Sequence, residues 1–243
     1  MFSYIHNMLS IKDIQHVFYI NLTHRVERKT EVEQELHALG LVNGVTRFNA
    51  ISMKDGRIGF TMSHLKCLQE AKKNNLPHMM MVEDDIHFLD PSLFVAQCND
   101  FLQSGVEWDV ILLAGNNLPP YTRVRDSAVK VTQCQTTTGY IVKNAYYDTL
   151  IANIREGLAQ LLKHPDRHFQ YAIDKFWFHL QKRDKWYLIT PLSVTQRAGY
   201  SDIEQKHTDF TKAFTDLDKE ALMRRYNAMR INASRMTRAN NNT

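Results

Sequence analysis

His78-Met79-Met80-Met81-Val82-Glu83-Asp84-Asp85-Ile86-His87-Phe88-Leu89-Asp90 is the stretch on which the reading of this chain turns. A short apolar run ends abruptly in three consecutive carboxylates. A run of that length between breakers predicts a strand buried on both faces. Three adjacent acids repel one another, so a fold that gathers them at a strand end needs a compensating cation. In open α/β sheets, ligands sit just beyond the carboxyl ends of the strands. Oxygen-rich sites suit hard divalent ions such as Mg2+ or Mn2+, often shared with substrate phosphates. The stretch therefore reads as a metal–diphosphate site. The plain alternative is a solvated acidic turn ahead of a helix that Asp90 caps, with Pro91 at its first position.

Working outward, residues 16–22 (His-Val-Phe-Tyr-Ile-Asn-Leu) predict a first buried strand. A helix follows, with Val26, Val32, Leu36 and Leu39 on one side and Gly40 as its stop. Strand, turn and helix at the start of a chain suit a nucleotide-binding α/β unit. Asn21, Arg25 and Arg28 then fall at the strand end and first helical turn, where a guanidinium can meet phosphate oxygens or simply face solvent. Residues 45–51 alternate like a second strand. Thr61-Met62-Ser63-His64 is read as opening the next helix, which places Ser63 and His64 in its first turns, where free N–H groups favour anions. His64 is thus a candidate for a phosphate or sugar contact, with a structural hydrogen-bonding histidine as the plainer reading.

Residues 108–115 predict a fourth buried strand, and Asn116-Asn117-Leu118-Pro119-Pro120 a loop near the ligand. Short strands are expected at 129–132 and 139–142, around the polar Thr136-Thr137-Thr138. Asn144 is read as the cap of a long helix whose apolar positions run from Tyr147 to Leu161. Residues 171–180 read as one further helix, with Asp174 beside an aromatic face where it can serve as a general base. Strands at 185–191 and 193–196, a polar loop at 199–204 and a basic amphipathic helix at 216–235 complete the pattern.

Composition sets the bounds. A chain of 243 residues with 44% hydrophobic and 23% charged residues is an ordinary globular protein with a substantial core. A net charge of +4 permits an acidic ligand, yet no basic arm, zinc-finger spacing or Gly-rich phosphate loop points to nucleic acid. Cys67, Cys98 and Cys134 are widely spaced and set among apolar neighbours, which suits buried thiols in a reducing compartment. The N-terminal segment lacks an uninterrupted apolar core, and no run reaches membrane-span length. The expectation is a cytoplasmic protein, peripheral at most to the inner face of a membrane through the basic C-terminal helix.

The motifs, in this order, resemble the LPS-type glycosyltransferases (glycosyltransferase family 25). That family includes bacterial lipooligosaccharide galactosyltransferases, procollagen galactosyltransferase domains and relatives in giant viruses. The matching pieces are Phe18-Tyr19-Ile20-Asn21-Leu22 with Arg28, Gly59 with Ser63-His64, and Val82-Glu83-Asp84-Asp85. They continue with Thr138-Gly139-Tyr140-Ile141-Val142, Ile173-Asp174, Pro191, Gln196 and Ser201-Asp202-Ile203.

The resemblance implies a single α/β domain of GT-A type over residues 1–243: a Rossmann-like nucleotide-binding sheet with helices on both faces. Residues 16–125 would form the donor half, 126–215 the acceptor half, and 216–243 a basic helix and tail. It also implies Mn2+ (or Mg2+), a UDP-sugar donor, and inverting transfer of a hexose, galactose or glucose. The acceptor would be a hydroxyl of a glycan, lipooligosaccharide or protein. Glu83-Asp84-Asp85 stands where the family has Asp-x-Asp, with Glu replacing the first Asp. Asp85 is then the metal ligand, with Asp202 and His207 as candidate distal ligands. Glu83, Asp84, Ile20, Asn21, Leu22, Arg28, Ser63 and His64 would hold the donor, and Asp174 would be the catalytic base, with Asp202 and His207 second in line. A transferase fold reduced to a nucleotide-sugar or carbohydrate-binding module is the alternative.

Overall fold

The computed structural model describes residues 8–201, 203, 205–220 and 224. The chain runs through β1 (Val17–Asn21), α1 (Val26–Ala38), β2 (Val45–Asn49), α2 (Gly56–Lys73) and β3 (His78–Glu83). The turn Asp84-Asp85 leads into β4 (Ile86–Phe88), α3 (Pro91–Gln103), β5 (Val110–Leu112), β6 (Asn116–Asn117), β7 (Thr122–Arg125) and β8 (Ala128–Lys130). Then come β9 (Cys134–Gln135), β10 (Gly139–Lys143), α4 (Tyr147–Lys163), α5 (His168–Tyr171), α6 (Ile173–Phe176) and α7 (Phe178–Arg183). The described elements end with β11 (Trp186–Ile189), β12 (Val194–Gln196), β13 (Gly199–Ser201), β14 (Lys206–Thr208) and α8 (Thr211–Thr215).

Eight strands form the central sheet in the order β2-β1-β3-β10-β5-β11-β8-β7. β2, β1 and β3 are parallel neighbours, whereas β10 runs antiparallel between β3 and β5. β3 shows why its sequence reads as one apolar run. Met80 and Val82 pack into a core shared with α1 and α3, while Met79 and Met81 enter a second core shared with α2 and α4. Alternate side chains of a strand point to opposite faces, so both sets are buried only where helices cover both. This is the expected α/β architecture, a Rossmann-like sheet with helices on each face. Strands from either side of residue 125 interleave in it: β10 adjoins β3, and β11 adjoins β5. The three cysteines are buried and unpaired with one another. Among the described residues no helix is long and apolar enough to cross a membrane.

Local departures from the sequence reading have identifiable causes. Helix α2 begins at Gly56, capped by Asp55 on the Arg57 N–H, well before Thr61. Asn144 does not cap α4; its amide donates to the Leu76 carbonyl at 2.9 Å. The helix expected over 171–180 is divided at Ala172 (φ −56°, ψ 143°) and again at Trp177, and Trp177 and Gln181 bond to the Cys134 backbone. Residues 199–201 are not loop but β13, paired with β14 in a hairpin. Most of the helix expected over 216–235 lies outside the described residues.

Candidate active site

β3 delivers its acids to the carboxyl edge of the sheet, beside the end of β1. Asn21, the last residue of β1, is fully buried and fully used. Its Nδ2 donates to Asp84 Oδ2 at 2.7 Å and to the Arg25 carbonyl at 3.0 Å. Its Oδ1 accepts from Arg47 Nη2 and Nε at 2.7 and 3.0 Å. Arg28, from the first turns of α1, places one guanidinium nitrogen 3.2 Å from Asp84 Oδ1 and 3.3 Å from Asp85 Oδ2. Its other terminal nitrogen donates to the Tyr200 carbonyl at 3.0 Å, so the β13–β14 hairpin is docked against the acids.

The second half of the chain closes the site. Glu83 Oε1 accepts from the Thr137 hydroxyl at 2.6 Å, and Oε2 from Gln196 Nε2 at 3.1 Å. Asp174 Oδ2 accepts the Thr136 N–H at 3.2 Å. The loop Thr136-Thr137-Thr138 thus holds Glu83 with one residue and Asp174 with the one before it. Burial raises the Glu83 carboxyl well above the usual range, and the charges of Asp85, Asp84 and Asp174 push it further. Asp85 is pushed up to about 6 by burial, with Arg28 pulling the other way. Asp174 is raised by burial against the opposing pull of Lys175 and the Thr136 N–H. Four carboxylates, contributed by two distant parts of the sequence, therefore share one electrostatic neighbourhood.

The donor set suits a hard cation. Asp85 Oδ1 is buried and has no hydrogen-bond partner among the described residues, which is costly unless something positive meets it. Among the described residues no three His, Cys, Asp or Glu side chains converge as a complete shell. A Mg2+ or Mn2+ ion at Asp85 would therefore rest on one or two carboxylates, with water and substrate phosphate oxygens filling the rest of its shell.

Several expected site residues lie elsewhere. Because α2 starts at Gly56, Ser63 and His64 sit in its interior and not at its free N–H groups. Both are fully buried. Ser63 Oγ donates to the Gly59 carbonyl at 2.8 Å and accepts the Ile51 N–H at 2.9 Å, which ties α2 to the chain just after β2. His64 Nδ1 lies 3.2 Å from the Tyr140 hydroxyl, and burial lowers its pKa to about 3. Their anion-binding role is corrected to a structural one, since both lie in the interior of α2, away from its free N–H groups, and Ser63 is fully engaged within the protein. Ile20 is likewise packed in the core with Leu65, and Leu22 contributes its carbonyl to a turn with the Arg25 N–H. His207 is exposed, opposite Tyr200 in the hairpin, and joins no acidic cluster among the described residues. Asp202 lies outside the described residues.

The structure also brings to the site residues to which the sequence reading gave no role there: Arg47, Thr136, Thr137, Gln196, and a clamp behind the acidic turn. Glu35 of α1 is buried, accepting the Phe88 N–H at 3.0 Å and meeting His87 Nδ1 at 2.7 Å. The Arg197 guanidinium also reaches Glu35, and the Arg197 N–H bonds the Asp85 carbonyl at 2.7 Å. Neither Arg47 nor Glu35 carried a local signal, since a lone arginine in a strand or a lone acid on a helix reads as solvated.

Solved structures similar to this fold include two at low sequence identity. One is a glycosyltransferase involved in the glycosylation of the major capsid of PBCV-1, at 9% identity over 78% of this chain and 95% of that one, TM-score 0.47. The other is a mannose-1-phosphate geranyltransferase from Thermus thermophilus, at 11% identity over 72% and 73%, TM-score 0.43. No curated protein sequence matches the chain. The sequence profile of glycosyltransferase family 25 (LPS biosynthesis protein) matches residues 49–175, from the end of β2 through the acidic turn to Asp174. That is just over half of the 243 residues, and the chain accordingly belongs to glycosyltransferase family 25 and is a glycosyltransferase.

Proposed function

We propose that the protein is a divalent-metal-dependent hexosyltransferase. It would take galactose or glucose from a UDP-sugar to a hydroxyl of a glycan, lipooligosaccharide or protein acceptor, with inversion. One observation carries this reading: Asp85, in the turn that follows β3, has a buried Oδ1 unpartnered among the described residues, inside a group of four carboxylates that Arg28 alone does not neutralise. Asp85 would hold Mn2+ or Mg2+, with Asp84 and Glu83 around it. An ion held there would supply positive charge to the leaving diphosphate.

The chain's own residues supply the rest. Arg28 is positioned to exchange its carboxylate partners for phosphate oxygens, a match for the guanidinium fork. Asn21 holds Asp84 in place and is itself held by Arg47. Glu83, bonded on both oxygens by Thr137 and Gln196, is held in place and is not free to act as a mobile base. Asp174 takes the proton from the acceptor hydroxyl; its raised pKa makes it a better base than an exposed carboxylate, and its bond to Thr136 orients it. Inversion requires that hydroxyl to attack from the face opposite the leaving diphosphate.

A panel of sugar nucleotides, assayed for hydrolysis and transfer with and without Mn2+, tests the reading. Turnover of one UDP-hexose that is abolished by chelation is the expected result. Binding without turnover would favour a nucleotide-sugar-binding module, and metal-independent turnover would remove the role given to Asp85.

A further inference from the structure

Asn117 has no exposed surface, and neither its Oδ1 nor its Nδ2 finds a hydrogen-bond partner among the described residues. Buried amides are nearly always bonded, and leaving both ends unpaired is unfavourable. The surroundings explain why no described residue answers it. Asn117 lies opposite Cys134 in the β6–β9 pair, but the Cys134 N–H goes to Gln181 Oε1 at 2.7 Å. The Cys134 carbonyl is taken by Gln181 Nε2 at 2.8 Å and Trp177 Nε1 at 3.2 Å. The next N–H, of Leu118, bonds the Gln133 carbonyl at 3.0 Å. The buried ammonium of Lys219 turns to the carbonyls of Ala213 and Asp216.

Its position gives the amide a use. β6 follows the carboxyl end of β5, the edge of the sheet where the acids gather. Cys134 is two residues from Thr136, whose N–H holds Asp174. An amide offers one acceptor and two donors side by side, the pattern that two neighbouring hydroxyls of a sugar ring satisfy. We propose that Asn117 is a sugar-hydroxyl ligand, its Oδ1 and Nδ2 reading a vicinal diol of a hexose placed against Asp174. The inference rests on the hexosyltransferase reading above and extends it to a residue that sets sugar specificity. α8 packs over β6, and the segment that follows it is tied down by the Tyr121 hydroxyl on Asp218. Entry of the sugar requires this strap to lift.

The diol can belong to the donor hexose or to the acceptor, and Asn117→Leu separates the two. Its melting temperature is measured without ligand, its affinity for UDP and for UDP-galactose or UDP-glucose with Mn2+ by calorimetry, and its KM for methyl glycoside acceptors by transfer. Expected are unchanged affinity for UDP and a free protein at least as stable as wild type, because an unpaired polar group has been removed. Either UDP-hexose affinity or acceptor KM should worsen by about tenfold or more, and the affected arm names the sugar. Asn117→Ala is read in the same way should the leucine variant fail to fold. Unchanged hexose affinity and unchanged acceptor KM in an active enzyme overturn this inference alone. Wild-type protein that neither binds nor turns over any UDP-hexose overturns both it and the donor assignment.

Discussion

At the scale of single residues, the site is a set of acids whose charges are only partly met. Asp85 is the informative one. Its carboxyl stands at about 6 in the folded protein, above the unfolded value of about 4. The folded state therefore holds the extra proton. This group's contribution to stability is complete below about pH 4 and is lost as pH rises through about 6. Asp85→Asn should melt higher than wild type at pH 7.5 without metal, with the gap closing by about pH 4 to 5. The same variant should lose Mn2+-dependent binding of UDP-sugar by calorimetry; a variant that keeps wild-type affinity would remove Asp85 from the metal. Protons compete with metal for carboxylates, so Mn2+ affinity of wild type should weaken as pH falls below about 6. Asp174→Asn keeps the shape of the side chain and removes the base. Transfer should fall by about 10²–10⁴-fold with donor affinity nearly unchanged, and near-normal kcat would move the role elsewhere.

At the scale of elements, the acidic turn is held from behind. β4 pairs with β12, so Phe88 lies opposite Val194 and Ile86 opposite Gln196, whose amide reaches Glu83. Glu35 clamps this small sheet to α1 through Phe88, His87 and Arg197. Removing one partner of a buried ionic group leaves the others uncompensated, which costs about 3–5 kcal/mol. Glu35→Ala should show a loss near the low end of that range in denaturant titration, since His87 and Arg197 are each about a third exposed. It should also weaken Mn2+ binding without touching any ligand. A variant with normal stability and normal metal affinity would show that the clamp is idle. Gly59 is the other element-scale device. A Cβ there would lie 2.1 Å from the Ile51 carbonyl oxygen, so glycine is what lets α2 pass close to the end of β2. This close approach, and not anion binding, explains the motif of Gly59 with Ser63.

At the scale of the whole molecule, one sheet edge collects residues from both ends of the chain. Asn21, Arg28 and Arg47 come from its beginning, Glu83 to Asp85 from the middle, and Thr137, Asp174, Gln196 and Tyr200 from after residue 125. A ligand bridging them should stabilise the folded state as a unit. UDP with Mn2+ at 100 times its dissociation constant should add about 2.7 kcal/mol to stability, visible as a rise in Tm that chelation reverses. An equal rise with UDP and chelator present would argue for metal-independent binding.

The strands β1, β3, β5 and β10 and the helices on both faces were legible in the sequence because long apolar runs and helical spacing are local signals, dictated by burial. So were the acidic turn and the Asp90 cap. What the local pattern misjudged depended on partners distant in the chain. The helix promised over 171–180 is broken at Ala172 and Trp177, where Trp177 and Gln181 bond to the distant Cys134 backbone. His64, apt for an anion by position, is enclosed beside Tyr140 once α2 proves to start at Gly56. Period and composition determined which segments are strand or helix and which strand ends in charge. Only the tertiary structure decided which acids lie together, because β10 entering between β3 and β5, and β12 pairing with β4, carry Thr136, Thr137 and Gln196 to carboxylates that no sequence spacing connects.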